Sequence, residues 1–246
     1  MIEAIKRLLG SLSGTRAGGS GDQGRKRFCP VCEKHSRRFK PFGVLKRAEA
    51  RCPACGALER HRLVWLYLNR RTRLFQQQLK GTMLHVAPES ILEAKFRRLL
   101  GKQYLTADFL DPKADVKMDI MNIAYPDHSF EVIYCSHVLE HVPDDRRAMR
   151  EFKRVLQPDG WAILLVPITA DKTFEDPSIE DPKKRLRLFG QSDHVRRYGP
   201  DYAERLREAG FEVDCIRPAD FLAPAEIAEM AINAAGDIYF CRPLNG

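Results

Sequence analysis

The chain has 246 residues, of which 44% are hydrophobic and 30% charged, a balance that excludes wholesale disorder and supplies enough apolar content for a sizeable core. No stretch approaches the about 20 consecutive apolar residues of a membrane helix, and the opening MIEAIKRLLGSL is too short and too charged for a secretory signal, so a cytoplasmic protein without stable membrane insertion is expected. The net charge of +8 is unevenly spread: residues 1–80 hold 19 Lys and Arg against 5 Asp and Glu, whereas the remainder holds 22 against 28, and a basic front of this kind steers phosphate-bearing partners.

Residues 1–24 place Ile2, Ile5, Leu8, Leu9 and Leu12 at helical spacing and then run into a Gly- and Ser-rich stretch, which predicts a short amphipathic helix on a flexible segment. Residues 25–58 form a cysteine module. Cys29-Pro-Val-Cys32 and Cys52-Pro-Ala-Cys55-Gly56 are separated by 19 residues, the spacing of a zinc ribbon held by four thiolates. A redox role for C-x-x-C does not explain two pairs, and four protein ligands leave no open position, so Zn2+ is expected to be structural. His35 and His61 read as surface or linker-helix histidines. Between the pairs lie Lys34, Arg37, Arg38, Lys40, Lys46, Arg47 and Arg51, interleaved with Phe39 and Phe42 and preceded by Phe28. Cations and rings together suit RNA, although in so small a module the rings also serve as core. Residues 59–80 carry Leu63, Leu66, Tyr67, Arg70 and Leu74 at helical steps and predict a linker helix.

From residue 81 to 246 short apolar runs alternate with amphipathic helices: TMLHVAP, SILEAKFRRLL, QYLTADF, FEVIYCS, DDRRAMREFKRVL, WAILLVP, YGPDYAERLREAG, FEVDCIRP, PAEIAEMAINAA and DIYFCRP. Such alternation predicts an α/β fold with a doubly wound, mostly parallel sheet. Pro158, Asp159 and Gly160 are expected to stop one helix before a strand, and Gly210 the next; the last strand is expected to insert antiparallel. Cys135, Cys215 and Cys241 fall in strands and read as core. The stretch from Ile168 to Tyr198 reads as a long irregular loop of the kind from which substrate lids are built.

Three segments in order, DIMNIAYPDHSFEVI, SHVLEHVPD and RVLQPDG, resemble the class I S-adenosylmethionine-dependent methyltransferases, in particular the group called methyltransferase type 11. The resemblance runs from about Gly81 to the C-terminus. It implies a seven-stranded sheet, S-adenosylmethionine as cofactor, and methyl transfer to an O or N nucleophile. By position, Asp108 would accept the ribose hydroxyls at the end of the second strand. Asp119 and Ile120 would line the adenine pocket, and Ser136 and His137 would face the methionine end and the substrate. One departure stands out. Where the family ends its first strand with an acidic residue and a Gly-rich turn, this chain has Leu84-His85-Val86-Ala87-Pro88-Glu89, so His85, Ala87 and Glu89 would have to serve the methionine moiety, with Glu89 accepting from its ammonium group.

Candidate proton acceptors for the transfer are His137, His141 and His194, with Arg196 as a binder of anionic groups. His137-Val-Leu-Glu140-His141 also reads as the inverted zinc-peptidase motif H-x-x-E-H, but that chemistry needs both histidines on one helix, and here a strand precedes them and Pro143 follows. The acceptor is RNA or a small metabolite or sugar. A different reading is that the altered first loop marks a catalytically degenerate protein whose ribbon acts as an adapter for nucleic acid or protein. Oligomeric state leaves no mark in the sequence.

Overall fold

A computed structural model describes residues 26–43 and 46–244; the helix and flexible segment expected over 1–24 lie outside the described residues. The chain opens with two short antiparallel hairpins, β1 (Arg27–Cys29) with β2 (Lys34–Ser36) and β3 (Lys40–Phe42) with β4 (Arg47–Arg51). Each cysteine pair is bent by the same turn. Glu33 N donates to Cys29 O at 2.7 Å and Gly56 N to Cys52 O at 2.9 Å, both residues having φ in the left-handed region, +58° and +81°. Glycine enters that region freely, which accounts for Gly56.

Helix α1 (Glu59–Arg71) stops well short of residue 80, and it is a core element rather than a tether. Every residue from His61 to Leu68 is buried, as expected of a helix that is packed on all sides. Trp65 packs on Phe75 and Phe96, with ring centroids 5.4 and 6.4 Å away, and Tyr67 packs on Phe221 and Phe240 at 5.6 and 5.8 Å. Between them lies Arg62, fully buried. Its guanidinium donates to the carbonyls of Ala50 and Ala57 in the ribbon and of Met230 and Ala231 near the C-terminus, at 2.7–2.9 Å, and lies 4.5 Å from the Phe39 ring centroid.

The chain then runs through β5 (Met83–Val86), α2 (Ser90–Leu100), β6 (Tyr104–Asp108), β7 (Val116–Lys117), β8 (Phe130–Ser136), α3 (Asp145–Val155) and β9 (Leu156–Leu165). An excursion follows with β10 (Phe174–Glu175), α4 (Pro182–Phe189) and β11 (Arg196–Arg197). The closing elements are α5 (Tyr202–Glu208), β12 (Phe211–Ile216), α6 (Pro224–Glu229) and β13 (Ile238–Pro243). Seven strands form one sheet in the order β12-β13-β9-β8-β5-β6-β7. β5 through β9 are parallel, and β13 inserts antiparallel between β9 and β12. Apolar residues at helical spacing bury one face of each covering helix: Leu92, Phe96 and Leu100 on α2, and Ala148, Met149, Phe152 and Val155 on α3.

Three details depart from the sequence reading. Helix α3 ends at Val155, and Pro158, Asp159 and Gly160 lie inside β9 at a register shift against β8, where a Cβ on Gly160 would meet Glu131 O at 2.6 Å. The stretch 168–198 is ordered by α4 and by the β10–β11 pair. Cys135 and Cys241 are buried, but Cys215 is exposed. Among the described residues no helix is long and apolar enough to cross a membrane.

Candidate active site

From β5 the chain moves to β6 and β7 on one side and later to β8 and β9 on the other, so strand order reverses between β5 and β8. Open α/β sheets hold ligands beyond the carboxyl ends of the strands at such a reversal. A cavity of about 480 Å³ opens there, with Ala87 after β5, Asp108 at the end of β6, Asp119 and Ile120 after β7, and His137 and His141 after β8 in its wall. Asp108 uses Oδ1 to accept the backbone N–H groups of Leu110 and Asp111 at 2.7 and 2.8 Å, which folds the turn and leaves Oδ2 for a ligand. Asp119 Oδ1 accepts from Met121 N at 2.8 Å in the same manner.

Ala87 lies in the turn that the resemblance implies to be Gly-rich, and its φ of +47° is the left-handed conformation that glycine favours. The backbone shape of the loop is therefore kept without the residue that adopts it most easily. His137 is left-handed as well, with φ of +57°, and its N–H donates to Leu165 O at 2.8 Å, which turns the chain sharply out of β8. The segment from His137 to Asp144 is made of turns and not helix, which is incompatible with the geometry of an H-x-x-E-H peptidase.

A second cavity, of about 390 Å³, lies between the ribbon side and the sheet, lined by Arg47, Glu59 and Arg60 on one wall and by Leu165, Thr169 and Tyr239 on the other. His137 belongs to the walls of both cavities.

Several residues assigned from sequence do not reach the first cavity. His85 is sealed among Phe96, Tyr104 and Tyr134, with Nδ1 2.6 Å from the Tyr104 hydroxyl, and burial drives its pKa down to about 4. Its period-two position on a strand buried on both faces points it into packing rather than toward a ligand. Glu89 turns toward α1. Its Oε1 accepts from Arg60 at 3.0 and 3.1 Å and from Ser136 Oγ at 3.3 Å and lies 2.9 Å from His61 Nε2; Oε2 accepts from Tyr134 OH at 3.2 Å. Burial alone would raise its pKa, but the hydrogen bond from His61 and the Arg60 charge hold it at about 2. Ser136 is buried with its hydroxyl committed to Glu89.

His194 is also buried behind the wall, its ring edge-on to His141 with centroids 4.6 Å apart. Arg196, expected to bind anionic groups, is buried, and its donors go to the carbonyls of Leu139, Val142 and Pro143 and to Glu175, at 2.6–2.9 Å. It is a clamp on the 139–143 turn. His61, read from sequence as an ordinary linker histidine, instead reaches Glu89 in the first loop, and its place two residues after the acidic helix start gave no such signal.

In the ribbon, Cys29 and Cys55 sulfurs lie 3.7 Å apart and Cys32 and Cys52 sulfurs 3.8 Å apart. A tetrahedral ion with Zn–S bonds of about 2.3 Å requires edges of about 3.8 Å, and a disulfide would be near 2.05 Å. Burial raises the Cys29 thiol well above its ordinary range and Cys55 to about 11, so these two sulfurs would ionise only beside a cation. The donor set and its spacing fit Zn2+. Around it Lys34, Arg37, Arg38, Lys40, Lys46, Arg47 and Arg51 are exposed together with Phe42, whereas Phe39 is core and Phe28 is half-buried.

The family model described as a methyltransferase domain matches residues 72–164. Over these residues the chain is similar to the methyltransferase family that its sequence motifs resemble. Its seven-stranded sheet is the number of strands the resemblance implied, and the last strand, β13, inserts antiparallel beside the edge as the strand pattern suggested. Among curated relatives, the 27-O-demethylrifamycin SV methyltransferase of Amycolatopsis mediterranei (strain S699) is 33% identical over 127 residues, 50% of this chain and 44% of that protein. The ajmaline N-methyltransferase of Rauvolfia serpentina is 28% identical over 120 residues, 46% of this chain and 41% of that protein. The matches to these methyltransferases thus span under half of the relatives' own length. A solved structure, an S-adenosylmethionine-dependent methyltransferase from Mesorhizobium loti, aligns at 16% identity with a TM-score of 0.47 over 73% of this chain and 97% of that one.

Proposed function

We propose that this chain is an S-adenosylmethionine-dependent methyltransferase whose cofactor occupies the cavity at the ends of β5, β6 and β8, and whose acceptor enters through the cavity bordered by Arg47 and Arg60. The observation that carries this reading is the position of His137 in the walls of both cavities, which puts one side chain at the junction that methyl transfer requires. The first cavity falls in the size range of small-molecule sites. In this reading Asp108 takes the ribose hydroxyls through Oδ2, and Asp119 with Ile120 takes the base.

When bound, S-adenosylmethionine supplies a methyl group already activated on a sulfonium. What remains for the protein is alignment, exclusion of water and, for a protonated acceptor, removal of one proton. His137 is the residue placed to take that proton. Its Nδ1 lies 3.4 Å from Glu140 Oε1, a carboxylate positioned to orient the ring. The main chain at Ala87 and the rim residues Phe109 and Leu110 would enclose the methionine and adenosine ends. Neither His85 nor Glu89 is assigned a direct contact; Glu89 acts as a positioning residue for the loop and for Ser136. The ribbon, with Zn2+ in a structural role, supplies Arg47 to the acceptor side, and its exposed cations favour an acceptor that carries phosphate, RNA before a neutral metabolite.

Calorimetric titration of S-adenosylmethionine and S-adenosylhomocysteine into the zinc-loaded full chain and into Asp108→Ala tests the reading. Binding in the micromolar range, about −8 kcal/mol, that weakens by at least tenfold in the variant is expected. Absence of binding to the folded wild type overturns it and leaves the ribbon as the functional part. The dependence of RNA binding on salt separates a phosphate-bearing acceptor from a small neutral one, because neutralised phosphates release counterions.

A further inference from the structure

Behind the wall that carries His141, the side chains of Glu140, His141 and His194 bring one donor atom each to within 4.8 Å of one another. Two of these donors are orphans. Glu140 is 1% exposed and His194 5% exposed, and both Glu140 Oε2 and His194 Nε2 are buried without a hydrogen-bond partner. A buried carboxylate oxygen and a buried imidazole nitrogen left unsatisfied each cost more than an ordinary hydrogen bond returns, so their side-by-side placement demands an occupant.

The tautomers point the same way. His194 Nδ1 faces Phe189 O at 3.2 Å, so the proton sits on Nδ1 and the Nε2 lone pair is free. His141 Nδ1 lies 3.3 Å from Asp193 Oδ2, which fixes that ring in the same sense. A backbone carbonyl behind one imidazole and a carboxylate behind the other is the support that metal-ligating histidines receive. No Lys or Arg side chain pairs with Glu140 among the described residues; its one ionic neighbour is His137.

We propose that Glu140, His141 and His194 form a second metal site, separate from the ribbon, for a divalent ion of the zinc type. Two imidazoles and one carboxylate are the donor set of such ions, and three protein ligands leave a coordination position open. Of the three, His141 lines the cavity, so the cluster borders the proposed cofactor site. If the methyltransferase reading holds, that position takes an oxygen of the acceptor, which favours hydroxyl or carboxylate acceptors. Metal binding itself does not depend on that reading. Nor is the site a peptidase centre, since its ligands are drawn from a turn and from the loop before β11.

The test is metal content and Co2+ spectroscopy on the full chain, stripped with a chelator and reloaded with Zn2+ or Co2+. Wild type is expected to hold one equivalent beyond the ribbon's, with weak visible bands of a nitrogen and oxygen site beside the intense thiolate bands. Glu140→Gln and His194→Ala lose the weak bands and the extra equivalent and keep the thiolate signal; Cys29→Ser does the reverse. Asp193→Ala, which removes only the support behind a part-exposed ring and leaves the core intact, weakens the extra equivalent by about 10–100-fold. A wild type that holds only the ribbon ion, or an extra equivalent that persists unchanged in all three variants of this cluster, overturns the proposal. S-adenosylhomocysteine titrations on the same samples report on the cofactor site independently, so failure of one reading is distinguished from failure of the other.

Discussion

His61 Nε2 lies 2.9 Å from a carboxylate oxygen of Glu89, joining the helix that leaves the four-cysteine module to the loop that leaves the first strand of the sheet. The helix start is in turn fixed to the ribbon, because Leu58 N donates to His61 Nδ1 at 3.1 Å and Cys52 N donates to Ala57 O at 2.9 Å. From this chain of contacts we expect the ribbon ion and the cofactor to be coupled. Removing zinc, or replacing His61 with Ala, should weaken S-adenosylhomocysteine by about tenfold, near 1.4 kcal/mol. The check is calorimetry before and after chelation, with zinc added back. Equal affinity with and without zinc would show that the contact is packing only.

Glu89 makes this junction acid-labile. Its carboxyl is held at about 2 by His61 and Arg60 against the cost of burial, below the ordinary 4.5. A depressed folded value means the contribution is complete above about pH 4.5 and disappears as pH falls toward 2. It amounts to about 3 kcal/mol, since one pH unit of pKa displacement is about 1.4 kcal/mol. Urea unfolding of wild type and Glu89→Gln across that range should give curves that converge as the pH drops. A constant difference between them would place the stabilisation in packing and not in the charge.

Ala87 holds a φ of +47° that costs an L-residue about 1–2 kcal/mol. Ala87→Gly removes that strain while adding freedom to the unfolded chain, and the two nearly cancel, so Tm should move little and cofactor affinity should be kept or improved. Ala87→Val adds a branched Cβ in the same conformation at the cavity wall and should cost at least about 1 kcal/mol and most of the cofactor binding. Thermal unfolding and S-adenosylhomocysteine titration of the two variants decide it. A valine variant that binds as well as wild type would remove the loop from the cofactor site.

The sheet was legible because period-two apolar strands and one-faced helices recur in order, and the cysteine spacing alone picked out the four sulfurs that the structure gathers. Helix α4 carried its signals too. Asp181 caps it by accepting from Lys184 N at 2.8 Å, Pro182 opens it and Gly190, with φ of +91°, closes it, but its exposed polar body gave no apolar face to read. β7 has two residues and no pattern of its own. The directions of Glu89, His194 and Arg196 were beyond the sequence because each is fixed by partners 21 to 57 residues away. Arg196 illustrates the difficulty. A cation in a polar loop suggests a ligand, whereas three backbone carbonyls of a distant turn consume it.

Arg62 is the clearest structural tie between the four-cysteine module and the rest of the chain. One buried guanidinium satisfies carbonyls at Ala50, Ala57, Met230 and Ala231, two on either side of the junction, and its planar fork reaches all of them at 2.7–2.9 Å. Methionine would fill much of the volume and leave three acceptors without a donor, since Ala57 O keeps the Cys52 N–H. At about 1–3 kcal/mol for each unsatisfied group, partly relieved by relaxation, Arg62→Met should cost at least about 3 kcal/mol in urea unfolding. Because Ala57 also receives the Cys52 N–H, loosening it should speed release of the ribbon ion to a chromogenic chelator. Arg62→Lys, with three donors on a single nitrogen, should fall between the two. A loss below about 1 kcal/mol with unchanged zinc release would mean that the Trp65 and Tyr67 aromatic contacts of α1, and not the guanidinium, seat the ribbon.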